Sequence, residues 1–208
     1  MYLKDLDQSR MAFPKLKELL RDQMEAGVVT FNDLKSTQPN PEDLPTYGYV
    51  RDDYVFNYPI QKVFDHYKYA DPNVAWGAGG LVAFGLALDK NTHEVYYPGE
   101  SYPGAKVGQV FYIHCTIFGL KRICMSQEIV KVDDQGKEIV FSYIEGGMTA
   151  GIQEIKFTEL GSNQTRVTHI SNFKGVSPFR DKFYPFFHSL IVGKFHGNLK
   201  SSLELSEN

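Results

Sequence analysis

Cysteine is scarce in this chain of 208 residues, and neither sign of charge is in large excess. The two cysteines, Cys115 and Cys124, have no third or fourth ligand at zinc spacing. A tight turn at Gly119-Leu120 would set them opposite each other in a hairpin, where a disulfide is geometrically possible. In a reducing compartment the expectation is two free, half-buried thiols. The formal net charge is −3, and the densest basic group is only Lys121-Arg122. That leaves no electrostatic footprint for nucleic acid.

Other absences narrow the field further. The longest apolar run, Val74 to Leu88, is broken by glycines and too short to cross a bilayer. Met1 to Asp7 is charged and lacks the apolar centre of a signal peptide, and neither end carries a lipidation motif. The expectation is a cytoplasmic protein without a membrane span. Gly77-Ala78-Gly79-Gly80 is followed by no Lys-Ser or Lys-Thr, so it is a turn and not a phosphate loop. There is no Gly-x-Ser-x-Gly elbow. His188 and His196 are eight apart, too far for a paired metal face, and read as ordinary helix residues. No metal and no cofactor is called for.

Aromatic and apolar residues are what the chain has in quantity. Fifteen Phe and thirteen Tyr suit a β-rich core or an aromatic-lined pocket. Residues 9–26 read as a helix ended by Gly27, with Met11, Leu16, Leu19, Leu20 and Met24 at helical spacing. A polar connector with Pro39, Pro41 and Pro45 follows, which puts a domain boundary near Thr46. Residues 1–46 are thus an N-terminal helix and connector, and 47–208 the main domain.

Residues 52–57 read as a strand and Pro59 as a helix start. Residues 81–88 and 93–97 read as a hairpin. The segments 107–118, 123–132, 138–145, 151–158 and 166–173 alternate as strands between turns at Gly119-Leu120, Asp133-Asp134-Gln135-Gly136, Gly146-Gly147 and Gly161-Ser162-Asn163. These links are too short for crossover helices, so pairing is antiparallel. Phe179, Phe183, Phe187, Leu190, Ile191, Phe195, Leu199 and Leu203 trace one face of a closing helix, which Pro185 should kink or divide.

The opening Tyr54-Val55-Phe56-Asn57-Tyr58-Pro59-Ile60-Gln61-Lys62-Val63-Phe64-Asp65 resembles the first strand and helix start of the START-like helix-grip superfamily, which includes Bet v 1-like and polyketide cyclase-like proteins. Thr165-Arg166-Val167-Thr168-His169 is similar to its last strand, and Asn198 to Glu204 to the end of its closing helix. Phe141-Ser142-Tyr143, Gly146-Gly147 and Gly151 to Phe157 are similar to an uncharacterised START-like family, whose Gly-Glu-Glu is Gly-Ile-Gln-Glu here. The resemblance implies an α+β fold in which a curved antiparallel sheet wraps a long C-terminal helix, with an N-terminal helical extension. A lipocalin is disfavoured because the only tryptophan, Trp76, precedes its glycine. An NTF2-like cone is disfavoured by the long closing helix.

Period-two alternation places candidate site residues on one sheet face. If Phe141, Phe157 and Phe173 point inward, then Tyr143, Glu145, Gln153 and His169 line the pocket, with Ile155 and Val167 beside them and Phe183, Phe187 and Ile191 from the helix. The first functional reading is binding of an apolar or aromatic small molecule. The second is a cofactor-independent cyclase or dehydratase, with His169 as general base and Tyr143 or Glu145 as its partner. A third is an interaction module whose cavity is filled by its own side chains. A strand histidine that is merely hydrogen-bonded, and a strand-end acid in solvent, remain the alternatives for His169 and Glu145.

Overall fold

The computed structural model describes residues 1–117, 119 and 121–206. In chain order its helices are α1 (Pro14–Glu25), α2 (Ile60–Tyr69), α3 (Pro72–Trp76) and α4 (Pro178–Leu205). Its strands are β1 (Gly48–Phe56), β2 (Ala78–Gly79), β3 (Val82–Asp89), β4 (Val95–Tyr96), β5 (Gln109–Ile117), β6 (Lys121–Asp133), β7 (Glu138–Tyr143), β8 (Thr149–Gly161) and β9 (Gln164–Gly175). Four single 3-10 turns lie within the first 46 residues.

The strands form one sheet in the order β1-β9-β8-β7-β6-β5-β3-β2, with β4 beside β3 and every pairing antiparallel. The first strand thus closes against the last, across most of the chain's length. Register shifts at Phe84/Leu86, Ile129/Lys131 and Glu159/Gly161 add the local bends that curve such a sheet. Gly85 sits in the first of them, where a Cβ would lie 2.8 Å from the Tyr112 carbonyl oxygen. Gly151 combines φ 124° with the Asn172 carbonyl directly against it, so only glycine fits that close strand approach.

α4 lies on the inner face. Ile191, Phe195, Leu199 and Leu203 join Phe56, Phe64, Trp76, Ile113, Ile129, Phe157 and Val167 in one buried cluster. The outer face is covered too. Leu3, Leu6, Met11, Leu16, Leu20, Phe31 and Leu34 pack on Leu86, Leu88, Val110, Tyr112 and Ile144 in a second cluster. β3 is consequently buried along its entire length, on both faces.

Several expectations need revision here. The N-terminal helix begins at Pro14, after a 3-10 turn at Gln8–Arg10, because proline suits a first helical turn. Pro185 does not divide the closing helix, since α4 continues through it. The α4 stripe expected from Phe179 onward is exposed in its first part: Phe179 is 72% and Phe183 40% accessible. The turn expected at Gly119-Leu120 lies partly outside the described residues, at Leu120, as does Phe118 at the end of the 107–118 segment. Cys115 pairs with Ile123 and His114 with Cys124, so the two cysteines are one position out of register. Alternation sends them to opposite faces, and both are free thiols. Burial pushes the Cys115 thiol up to about 12 and Cys124 higher still.

Candidate functional site

Between the sheet and the first half of α4 lies a cavity of about 340 Å³. β6, β7 and β8 each turn alternate side chains inward and so supply one wall. Its apolar lining includes Trp76, Ile123, Met125, Phe183, Phe187 and Ile191. Its polar lining includes Gln127, Tyr143, Gln153, Arg180, Tyr184 and His188. An apolar chamber of this size with a few converging polar groups is the usual form of a small-molecule site.

Three of these, Tyr143, Gln153 and Tyr184, belong to a buried relay. Tyr67 Oη lies 2.6 Å from His196 Nδ1, His196 Nε2 2.8 Å from His169 Nδ1, and His169 Nε2 2.9 Å from Gln153 Oε1. The Gln153 amide N–H donates to Tyr143 Oη at 2.5 Å; Tyr143 and Tyr184 hydroxyls are 2.7 Å apart, and Tyr184 is 2.9 Å from Ser171 Oγ. With the Gln153 oxygen as acceptor, His169 carries its proton on Nε2 and accepts at Nδ1. His196 then donates from Nε2 and accepts the Tyr67 hydroxyl proton at Nδ1. Every member is satisfied with both imidazoles neutral.

Electrostatics agrees with that assignment. Burial holds His169 well below the usual imidazole value, helped by His196 and His188 nearby. Burial lowers His196 to about 3 and His188 to about 4. It also pushes Tyr143 up to about 12 and Tyr184 well above the usual phenol value. The relay is therefore uncharged near neutral pH.

His188 is different. It is 5% accessible, and neither ring nitrogen has a hydrogen-bond partner. Its Nδ1 is 4.0 Å from Asp52 Oδ2, too long for a bond, and Asp52 accepts from Ser189 Oγ instead. The Gln127 side-chain N–H, 1% accessible, also has no partner in hydrogen-bond geometry, although it lies near enough to Tyr143 to favour the phenolate slightly.

The positions of the sequence candidates divide into groups. Tyr143, Gln153, Phe187 and Ile191 are on the cavity wall, and Phe183 is at its exposed edge. His169 is not on the wall; it reaches the cavity through Gln153. Phe141 and Ile155 line a separate space of about 30 Å³, while Phe157 and Val167 are packed core. Glu145 must be corrected: β7 ends at Tyr143, and Glu145 is exposed in the turn, its backbone N–H bonded to Lys35 O. Sequence reasoning does not single out Tyr184, Arg180 or Gln127, and it reads His188 and His196 as ordinary helix residues. A signal for part of this set exists: Tyr184, His188, Val192 and His196 recur every four residues, a second stripe beside the aromatic one.

No protein-family model matches the sequence, and no curated protein matches it. Solved structures do match. TTHA0849 from Thermus thermophilus aligns with a TM-score of 0.57 and 15% identity, over 77% of this chain and all of that one. Ginseng major latex-like protein 151 from Panax ginseng aligns at 0.53 and 14%, over 74% and 96%. Norcoclaurine synthase from Thalictrum flavum, in complex with dopamine and hydroxybenzaldehyde, aligns at 0.56 and 11%, over 84% and 97%. At these identities the likeness is one of architecture: this chain shares with these proteins the helix-grip fold, an antiparallel sheet around a long C-terminal helix.

Proposed function

We propose that this protein binds an apolar or aromatic small molecule in the cavity between the sheet and α4. The observation that carries this reading is the cavity itself, about 340 Å³ walled by Trp76, Met125, Phe187 and Ile191 and edged by a few polar groups. A protein of the same fold holds dopamine and hydroxybenzaldehyde, which supports aromatic ligands as a class. Trp76 is the only tryptophan in the sequence and lies on the wall, so it reports occupancy directly. Titration with the neutral dye Nile red should quench Trp76 in a saturable way, and native mass spectrometry of fresh protein should show a co-purified small molecule. Absence of both signals would remove the reading.

A second reading, acid–base catalysis of a cyclisation or dehydration, is favoured by the relay that ends at Tyr143 on the cavity wall. Magnitudes rank it lower. General acid–base groups work best with values near the operating pH. Here the imidazole of His188 sits near 4 and the phenol of Tyr143 near 12. Under this reading His169→Ala or Tyr143→Phe should leave binding nearly intact and lower turnover by roughly 10²–10⁴-fold. Equal turnover in wild type and both variants would sink it.

A further inference from the structure

Arg180 is the one charged side chain on the cavity wall among the described residues. It lies in the first turn of α4, half-buried, beside the exposed rings of Phe179 and Phe183. Its guanidinium has no carboxylate partner among the described residues. Its Nη1 donates to the sulfur of Met148 at 2.9 Å, a weak acceptor. The neighbouring Asp181 is engaged elsewhere, accepting from the Gly175 backbone N–H at 2.6 Å. An arginine normally finds a carboxylate or phosphate for its planar fork of donors. This one faces an apolar chamber instead.

Two further groups in the same cavity lack what Arg180 lacks. The Gln127 amide N–H is buried without an acceptor, and His188 is buried with both nitrogens unpartnered. Buried polar side chains are nearly always paired, so two orphans on one cavity wall indicate that a ligand brings the missing atoms. The need is chiefly for acceptors. Arg180 has donors only, and so does the free end of Gln127.

Charge and length narrow the class. One cation, with neutral histidines and tyrosines as the rest of the polar lining, balances one negative charge. A phosphate group would bring about 1.5 to 2. Along α4 the cavity wall runs from Phe179 to Val192, roughly 20 Å of helix axis, and Trp76, also on the wall, packs at 4.4 Å on Phe195, one turn beyond Val192. Arg180 and Trp76 therefore stand toward opposite ends of an elongated cavity. We infer that the ligand is an elongated apolar or aromatic monocarboxylate, its carboxylate held by Arg180 and its body extending toward Trp76. This rests on the small-molecule reading above and adds the anionic group.

Matched pairs test it. Calorimetric titrations would compare naphthylacetate with naphthylethanol, and decanoate with decanol, each pair sharing one apolar body. In wild type the acid should bind about ten-fold or more tightly than its alcohol, the scale of one charge-assisted contact. Arg180→Gln should bring each pair to parity while moving the alcohol's affinity by less than about three-fold, and Arg180→Lys should keep part of the preference. Raising the salt concentration should narrow the wild-type gap. Equal wild-type affinities for acid and alcohol would overturn the inference, as would a preference that survives in folded Arg180→Gln. The wild-type comparison decides the matter even if the variant fails to fold. If Nile red binds but none of the four compounds does, the carboxylate falls and the small-molecule reading stands. If Nile red fails as well, both fall.

Discussion

His188, His169 and His196 are buried side chains that ordinarily titrate near 6.5, and here they are held neutral by exclusion of water. The consequence for stability has a definite sign. Below about 6.5 the unfolded chain takes up protons at these sites that the folded chain refuses. Stability is therefore fully present above that pH and is lost as pH falls toward the folded values, about 4 for His188 and about 3 for His196. Each such group contributes a slope of about 1.4 kcal/mol per pH unit, so three approach about 4. His66 and His114, also lowered chiefly by burial, act in the same direction. A domain stable by about 5–15 kcal/mol should then unfold within a few units of neutrality. Urea midpoints at pH 7, 6 and 5 should fall steadily. In His188→Phe they should fall less steeply by one proton's worth, and the pH 7 midpoint should rise because a partnerless buried imidazole is gone. Parallel curves for wild type and variant would contradict the burial of His188.

At the scale of elements, α4 performs two tasks with two stripes. From Ile191 onward its apolar side chains fill the inner face of the sheet. Toward its start, Tyr184 and His188 face the cavity, while Phe179, Phe183, Phe186 and Leu190 remain exposed. The buried half anchors the helix, and the other half borders the cavity. Removing everything after Lys174 would uncover Ile113, Ile129, Ile155 and Val167 and lose Ile191, Val192, Phe195, Leu199 and Leu203. At about 1.5–3 kcal/mol for each large side chain, that loss matches the whole stability of a typical domain. Circular dichroism and size-exclusion chromatography should show an unfolded or aggregated chain. A folded monomer would mean that α4 does not complete the core.

For the whole molecule, the N-terminal 46 residues change how the sheet can be regarded. A helix-grip sheet with a bare outer face would alternate apolar and polar residues along each strand. β3 does not; it reads Val82-Ala83-Phe84-Gly85-Leu86-Ala87-Leu88 and is buried throughout. The cover also pairs with polar groups on that face: Gln23 Oε1 accepts the Tyr112 hydroxyl at 2.9 Å, and Phe13 stacks on His114 at 4.4 Å. The outer core crosses the boundary that the proline-rich connector marks near Thr46. A chain beginning at Tyr47 should therefore expose Leu86, Leu88, Val110 and Tyr112, bind the dye ANS strongly and aggregate on heating. An unchanged melting temperature and a monomeric elution volume would show instead that residues 1–46 are dispensable.

Much of the architecture was legible in the chain itself. Strand periodicity, short turns and the long apolar helix arise from interactions among near neighbours, which sequence order records directly. The inward face of β7, β8 and β9 followed from period two once Phe141, Phe157 and Phe173 were set inside. What lay beyond reach depended on partners far apart. Tyr67 and His196 meet across 129 positions, and Lys90 reaches Leu34 and Glu128 across the outer face. The strand end at Tyr143 that frees Glu145, and the single-residue offset between Cys115 and Cys124, are matters of register. Local propensity hardly distinguishes such alternatives, because moving one residue along a strand keeps the pattern and exchanges the faces. Sequence alone determined that a curved antiparallel sheet would hold a helix. The folded chain decided which side chains face the space between them, because that depends on where distant backbones cross.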